Sequence, residues 1–442
     1  MMINTLTSQK KPYSSCLSLS YFNSVSLLIY IPVSDMNNKK GNKQFLINMY
    51  VTRPLSHYIR LPESLSLPPE GPNSGYLVIQ DEESETYTCF GLCKDRFLAD
   101  LPFPQNKDLT MRYSSGAGEH ETVFHDGVSF IPVLNLPLSS NRYYAIKPHG
   151  NHKGEAYTSS REEDMATCCF CRCIRDVKSR PLDPDDRYQQ FDIALYEKSC
   201  IAKGHFYAKS VAPDGFPPHF LRRKGWQIYG KTPKNYKLGE APGLNAALRA
   251  RLPEFNFPMS YKSSESVVVG KWYCPFIFIK DGNLRDQMKR SMFYEMTLEQ
   301  RWEQIFASEN NSREGNSVFV DVSVQTKVVS VVPGKEAVWN EREVDDGAIW
   351  FRNFGNVGEG VSVGLRVEIV ERMKWEQERA GWVGGEDRQA RVKRVEEFGG
   401  IGGWRKFGCY VLVERFVLKR MDESLVMTCD FKHTHQIISN WE

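Results

Sequence analysis

No run of about eighteen uninterrupted apolar residues occurs in the 442-residue chain, so an ordinary membrane-spanning helix is not expected. The nearest stretch, Leu17 to Val33 (LSLSYFNSVSLLIYIPV), follows Lys10 and Lys11 and has the outline of a signal peptide. Serines dilute its apolar core, however, and no clear small-residue cleavage site follows. A strong charge of one sign is also missing. Lys and Arg number 57 against 54 Asp and Glu, leaving a formal charge of +3. A nucleic-acid face needs clustered bases, and the short runs Arg222-Arg223-Lys224 and Arg391-Val392-Lys393-Arg394 read instead as solvated faces or loops. Internal repeats of useful length are lacking too. What remains is ordinary globular chemistry: 41% hydrophobic and 25% charged residues exclude a wholly disordered chain.

The chain is organised around Ser266 to Phe306. A continuous apolar run, SVVVGKWYCPFIFIK, reads as a buried strand. Asp281-Gly282-Asn283 then supplies a turn. Leu284, Met288 and Met292 fall on one helical face. Thr297 and Gln300 have capping-box spacing, which predicts a restarted helix carrying Leu298, Trp302, Ile305 and Phe306.

Residues 1–48 are rich in Ser, Asn and Lys and lack patterning. From 49 to 148, Pro and Gly punctuate short β-like runs at Tyr76–Ile79, Tyr87–Phe90, Val128–Leu134 and Tyr143–Ile146, a spacing that suggests antiparallel pairing. Leu244–Leu252 reads as a short helix among loops. After Asn310 the period becomes two: Val318, Val320, Val322 and Val324 share one face, and Phe319, Asp321, Ser323 and Gln325 share the other. Ala337–Val344 and Ala348–Phe354 are expected to continue that sheet, Glu371–Trp382 to be helical, and Tyr410–Val413, Phe416–Leu418 and Leu425–Thr428 to be strands. The predicted fold is α+β and β-rich, with mainly antiparallel strands, a central strand–helix element and a C-terminal β-sheet region. The expected divisions are an unstructured extension at 1–48, a β-rich part with cysteine clusters at 49–262, and the strand–helix plus C-terminal sheet at 263–442.

From Met49 to Glu442 the sequence resembles a plant family catalogued as domain of unknown function 1262. The resemblance rests on MYVTRPLS, LPPEGPNSGYLVI, CFGLCKDR, LPFPQNK, PLSSNRYYAI, CCFCRC, DGFPPHFLRRKGW, VVVGKWYCPFIF, MKRSMFYEMTLEQRWEQIF, VERMKWEQERAGW, GGWRKFGCYVLVERFVL and DFKHTHQI. It implies a plant protein that starts at or near Met49, with residues 1–48 as a gene-model extension, and it carries no activity.

Several groups are candidates for chemistry. Cys89 with Cys93, and Cys171 with Cys173, are two close pairs from separate segments, the arrangement that supplies four thiolates to a structural zinc; reduced thiols are the favoured alternative. Gly360-Val361-Ser362-Val363-Gly364 matches the G-x-S-x-G nucleophile elbow, and Asp387 or Asp422 with His433 or His435 would complete a hydrolase triad. The upstream sequence lacks the alternating β–α units of a hydrolase, which favours a glycine-flanked turn. His433 and His435 could share a strand face as a metal pair. Aromatic residues beside basic ones, as at Lys271-Trp272-Tyr273 and Trp404-Arg405-Lys406-Phe407, can hold sugars, bases or anionic lipids. The reading is a non-enzymatic binding or scaffold module for an unknown protein or small-molecule partner, with stress or defence as its setting. It is expected in the cytoplasm or nucleocytoplasm, or secreted if residues 1–48 are a translated signal. The alternatives are a serine hydrolase through Ser362 and a membrane-active β-rich protein using the alternating run Ser317–Val332.

Overall fold

The 17-residue strand Phe293–Glu309 lies at the middle of the largest sheet, between Val267–Pro275 and Lys406–Arg420, and pairs antiparallel with both. In this computed structural model the described residues are 49–115, 122–168, 171–196, 204–311, 315–354, 360–385 and 388–442, without the side chains of Cys168 and Cys171. The expectation for residues 1–48 lies outside them. Outward from the central pair, Lys406–Arg420 pairs with Leu425–Trp441, which pairs with Lys327–Val332. On the other side Val267–Pro275 pairs with Met49–Pro54, which runs parallel to Ser74–Ile79. Strands from both ends of the described chain therefore share one sheet.

The turn and helix form as expected, with Asn283 capping Leu284–Arg290 through its side chain and Met288 and Met292 buried. The expected single strand, however, ends at Pro275, and after a tight 3-10 turn at Phe276–Phe278 residues Ile279–Lys280 join another sheet. The helix does not restart at Thr297. The helix preference of Glu, Gln, Leu and Met is a small term, and here one neighbour pairs along Phe293–Gln300 and the other along Tyr294–Glu309, so the ladders outweigh it. Both faces of this strand are also covered, which hides the period of two: Leu298, Gln300, Arg301 and Trp302 are all buried.

A second sheet runs in the order Phe206–Ser210, Gln190–Leu195, Arg142–Ile146, Thr122–Pro132, Asp108–Ser115, Gln227–Lys231, Phe97–Leu98, and encloses its own core around Phe103, Phe130, Phe206 and Trp226. Every connection in it is antiparallel. The alternating run Ser317–Val332 divides at Thr326. Its first part, Ser317–Gln325, pairs with Gln389–Glu397 and buries Val318, Val320 and Val324 against Trp404 and Phe407; its second part joins the main sheet. Ala348–Asn353 does not extend that sheet. It belongs to a separate four-stranded sheet with Ile279–Lys280, Val361–Arg366 and Val344–Asp345. The longest helix among the described residues, Val367–Glu378, has only 12 residues, so the fold is β-rich and mainly antiparallel, and the α+β label fits it loosely. No helix of the described residues is long and apolar enough to cross a membrane.

Candidate functional site

Two places gather polar chemistry, one buried and one open. The buried one joins the main sheet to the helices Ala246–Arg251 and Val367–Glu378. Glu414 points into it from Lys406–Arg420 and is 1% exposed. Arg249 grips this carboxylate as a fork, Nε donating to Oε1 at 2.8 Å and Nη2 to Oε2 at 2.5 Å. Gln300 Nε2 donates to the same Oε1 at 2.8 Å. His433 stands 3.7 Å from Glu414 and hydrogen-bonds through Nε2 with Gln377 Oε1 at 2.9 Å. Next to Gln377 on the helix, Glu376 accepts from Arg372 one turn before it, and Arg372 also donates to the Glu70 carbonyl and to Ser74 Oγ. Burial pushes the Glu414 carboxyl up, but the His433 ring and the Arg249 fork outweigh it and hold the pKa at about 2. Every member of this network holds a charged or polar partner across elements, and we read it as the clamp that seats both helices.

The open place lies on the outer face of the four-stranded sheet. The inner face, Ile279, Ile349, Phe351, Val363 and Leu365, is core. Period two then sets Trp350, Arg352 and Phe354 outward, with Gly364 opposite Trp350 and Ser362 opposite Arg352. Gly364 is required there by close approach: a Cβ would stand 3.3 Å from Trp350 Cδ2 and 2.9 Å from Lys280 Cβ. Along the edge of Ala348–Asn353 the chain folds back from Val338 to Asp345. It is pinned at one end by the Val338–Arg352 bridge, with N–O distances of 2.7 and 3.0 Å, and at the other by Val344 opposite Ile349. Between the pins residues 339–343 face only Trp350 and Phe351, so the surplus chain bows away from the sheet. Asn340 sets the bow, its Oδ1 accepting from Arg342 N at 3.0 Å and its Nδ2 donating to Glu343 Oε1 at 3.1 Å.

The result is a cleft of about 490 Å³ lined by Trp339, Asn340, Arg342, Glu343, Asp345, Trp350, Arg352 and Phe354, among others. Phe354 is 70% exposed. The guanidinium groups of Arg342 and Arg352 have no carboxylate partner among the described residues, and the Trp350 indole N–H is covered without an acceptor. Trp339 and Val338 also line a smaller hollow of about 290 Å³ with Lys327 and Arg388. Both cations stack on the Trp339 ring, Lys327 Nζ at 4.3 Å and Arg388 Cζ at 4.4 Å from its centroid. Partial burial raises the Glu341 carboxyl, yet Lys327, 2.8 Å away, and further cations hold it below the usual range.

The residues singled out from sequence are scattered. Ser362 lies inside the strand Val361–Arg366, whereas an elbow needs the serine on the strand-to-helix turn, which falls here at Arg366–Val367. Asp422 is exposed in the turn between the two longest C-terminal strands and accepts from Ser424; Asp387 lies outside the described residues. His433 is fully buried, while His435 is exposed beyond it in a bulge where Leu412 faces His433 but Val411 faces Ile437. Ser362, Asp422 and His433 are not brought together. Cys89 and Cys93 are exposed on a small hairpin and Cys173 is exposed on another. The four-cysteine zinc set therefore rests on a residue whose side chain is not described. No group of three or more metal-ligating side chains occurs among the described residues, and the Cys171 side chain lies outside them. A melt lowered equally by chelator and by Cys93→Ser would support the zinc set, and a melt unchanged by chelation would leave reduced thiols.

Residues 70–170 match the family described as "Protein of unknown function (DUF1262)". That match spans the second sheet's first strands and stops before the cleft. No curated protein sequence matches the chain. Among solved structures, the crystal structure of Cry35Ab1 aligns with a TM-score of 0.42 and 9% identity, over 77% of this chain and 90% of that one.

Proposed function

We propose that this chain is a non-enzymatic binding module and that its ligand occupies the cleft between residues 338–345 and the strand Ala348–Asn353. The observation that carries this reading is the bowed segment, which holds open a hollow floored by aromatic rings and rimmed by two unpaired guanidinium groups. Such groups are desolvated to advantage only when something planar and polar fills the space. The segment's ends are pinned by backbone hydrogen bonds, so the cleft exists before any ligand arrives and little ordering has to be offset on binding. The exposed thiols of Cys89, Cys93 and Cys173 suit a reducing compartment, the cytoplasm or nucleocytoplasm.

A thermal-shift screen of sugars, nucleotides and organic acids tests it. Hits are expected to stabilise the wild-type chain and to lose that effect in Phe354→Ala and Arg352→Ala, whose side chains are exposed and whose own melts should stay within a degree or so of wild type. Hits that survive both substitutions would place the ligand elsewhere. The hydrolase alternative has its own readout. Ser362 pairs with Arg352 across the ladder but has no hydrogen-bonded base among the described residues, so a fluorophosphonate probe is expected to leave the chain unlabelled. Labelling that disappears in Ser362→Ala would favour catalysis instead.

A further inference from the structure

Resting on that reading of the cleft, we infer that its ligand is an acidic oligosaccharide, a chain of sugar rings bearing carboxylates. Three features of the lining point to this class together. The first is the aromatic surface: Trp350 lies against the sheet over Gly364, Phe354 stands 70% exposed in the lining, and Trp339, itself nearly buried against Phe351, closes the far side. Aromatic faces pack against the C–H faces of sugar rings as readily as against bases, and exclude water from the contact.

The second is the mixture of signs around those rings. A site for a bare anion would be lined by donors alone. Here Glu343, Asp345 and Asn340 stand among Arg342 and Arg352. Carboxylates accept hydrogen bonds and repel phosphates, so they suit hydroxyl groups, while a guanidinium fork suits a carboxylate. Hydroxyls and carboxylates on one ligand describe a uronic acid.

The third is repetition. The smaller hollow shares Val338 and Trp339 with the cleft and brings Arg388 against the other wall, with the buried Lys327 beneath the same ring. Arg388 has no carboxylate partner among the described residues, and Lys327 has Glu341. Two adjoining hollows, each with an unpaired guanidinium and divided by one tryptophan, fit a ligand in which an acidic ring recurs. A single small anion would leave one of the two unused.

Isothermal titration of the full chain with trigalacturonate tests the inference, with maltotriose as the neutral trimer and ADP as a ring-plus-phosphate control. Trigalacturonate is expected to bind, more weakly as salt rises, with maltotriose and ADP at least about tenfold weaker. Arg352→Ala and Arg342→Ala should each weaken it about tenfold, the loss of one charged hydrogen-bonding group. Equal binding of maltotriose, or tighter binding of ADP, that still depends on Phe354 and Arg352 would overturn the ligand class and leave the cleft standing. Trigalacturonate binding unchanged in Phe354→Ala and Arg352→Ala would overturn the cleft itself. Absence of trigalacturonate binding overturns the acidic-sugar assignment, and the screen of the wider panel then decides whether the cleft survives.

Discussion

Arg249→Met is expected to destabilise the fold by about 3–5 kcal/mol, measured as a fall in the denaturant midpoint, because it strips the partner from a fully buried carboxylate. Glu414 would remain 1% exposed beside Glu376, with only Gln300 and His433 to satisfy it. The same pair gives the protein an acid-sensitive component with a definite sign. The Glu414 pKa is about 2 in the folded chain against an ordinary 4.5. A depressed carboxyl pKa stabilises the fold above the unfolded value and loses that contribution as pH falls toward the folded one. The contribution is therefore complete above about pH 4.5 and fades toward pH 2, amounting to about 3 kcal/mol. The gap between wild type and Arg249→Met should narrow through that window, since a protonated Glu414 no longer needs its fork. Parallel pH curves would contradict the clamp. Arg249→Met/Glu414→Leu, which removes both charges, should recover most of the loss.

Trp302→Ala is expected to cost about 3–5 kcal/mol as well, for a different reason. The indole is 2% exposed, lies edge-on to Phe255 at 6.2 Å, and donates through Nε1 to the Pro253 carbonyl at 2.9 Å. Truncation leaves a cavity between the sheet and residues 252–258 and an orphaned acceptor in it. A thermal melt lowered by less than a degree or two would mean that this segment repacks freely and that Trp302 is not core.

Much of the strand content was legible, because half-buried strands announce themselves by alternation. Val318, Val320 and Val324 face inward and Phe319 outward as the period of two requires. Where a strand is covered on both faces the period vanishes, and EMTLEQRWEQIF then shows only its helix-friendly composition. The buried clamp left a signal in the sequence that was not used. Glu414 interrupts the apolar run YVLVERFVL, and an acid inside a buried strand has to find a partner. That partner, Arg249, lies 165 residues away, which spacing cannot reveal. The cleft was illegible for a related reason. Residues 337–344 read as another strand, and only the two pins against Ala348–Asn353 show that the chain has residues to spare between them.

The central claim is that a ligand lies between the bowed segment and its strand, and a crystal structure of the chain soaked with trigalacturonate tests it most directly. The account predicts density against Trp350 and Phe354, with Arg342 and Arg352 turned onto a carboxylate. Density in the larger groove of about 710 Å³ bordered by Leu252 and Tyr261 instead, with the cleft unchanged, would contradict it.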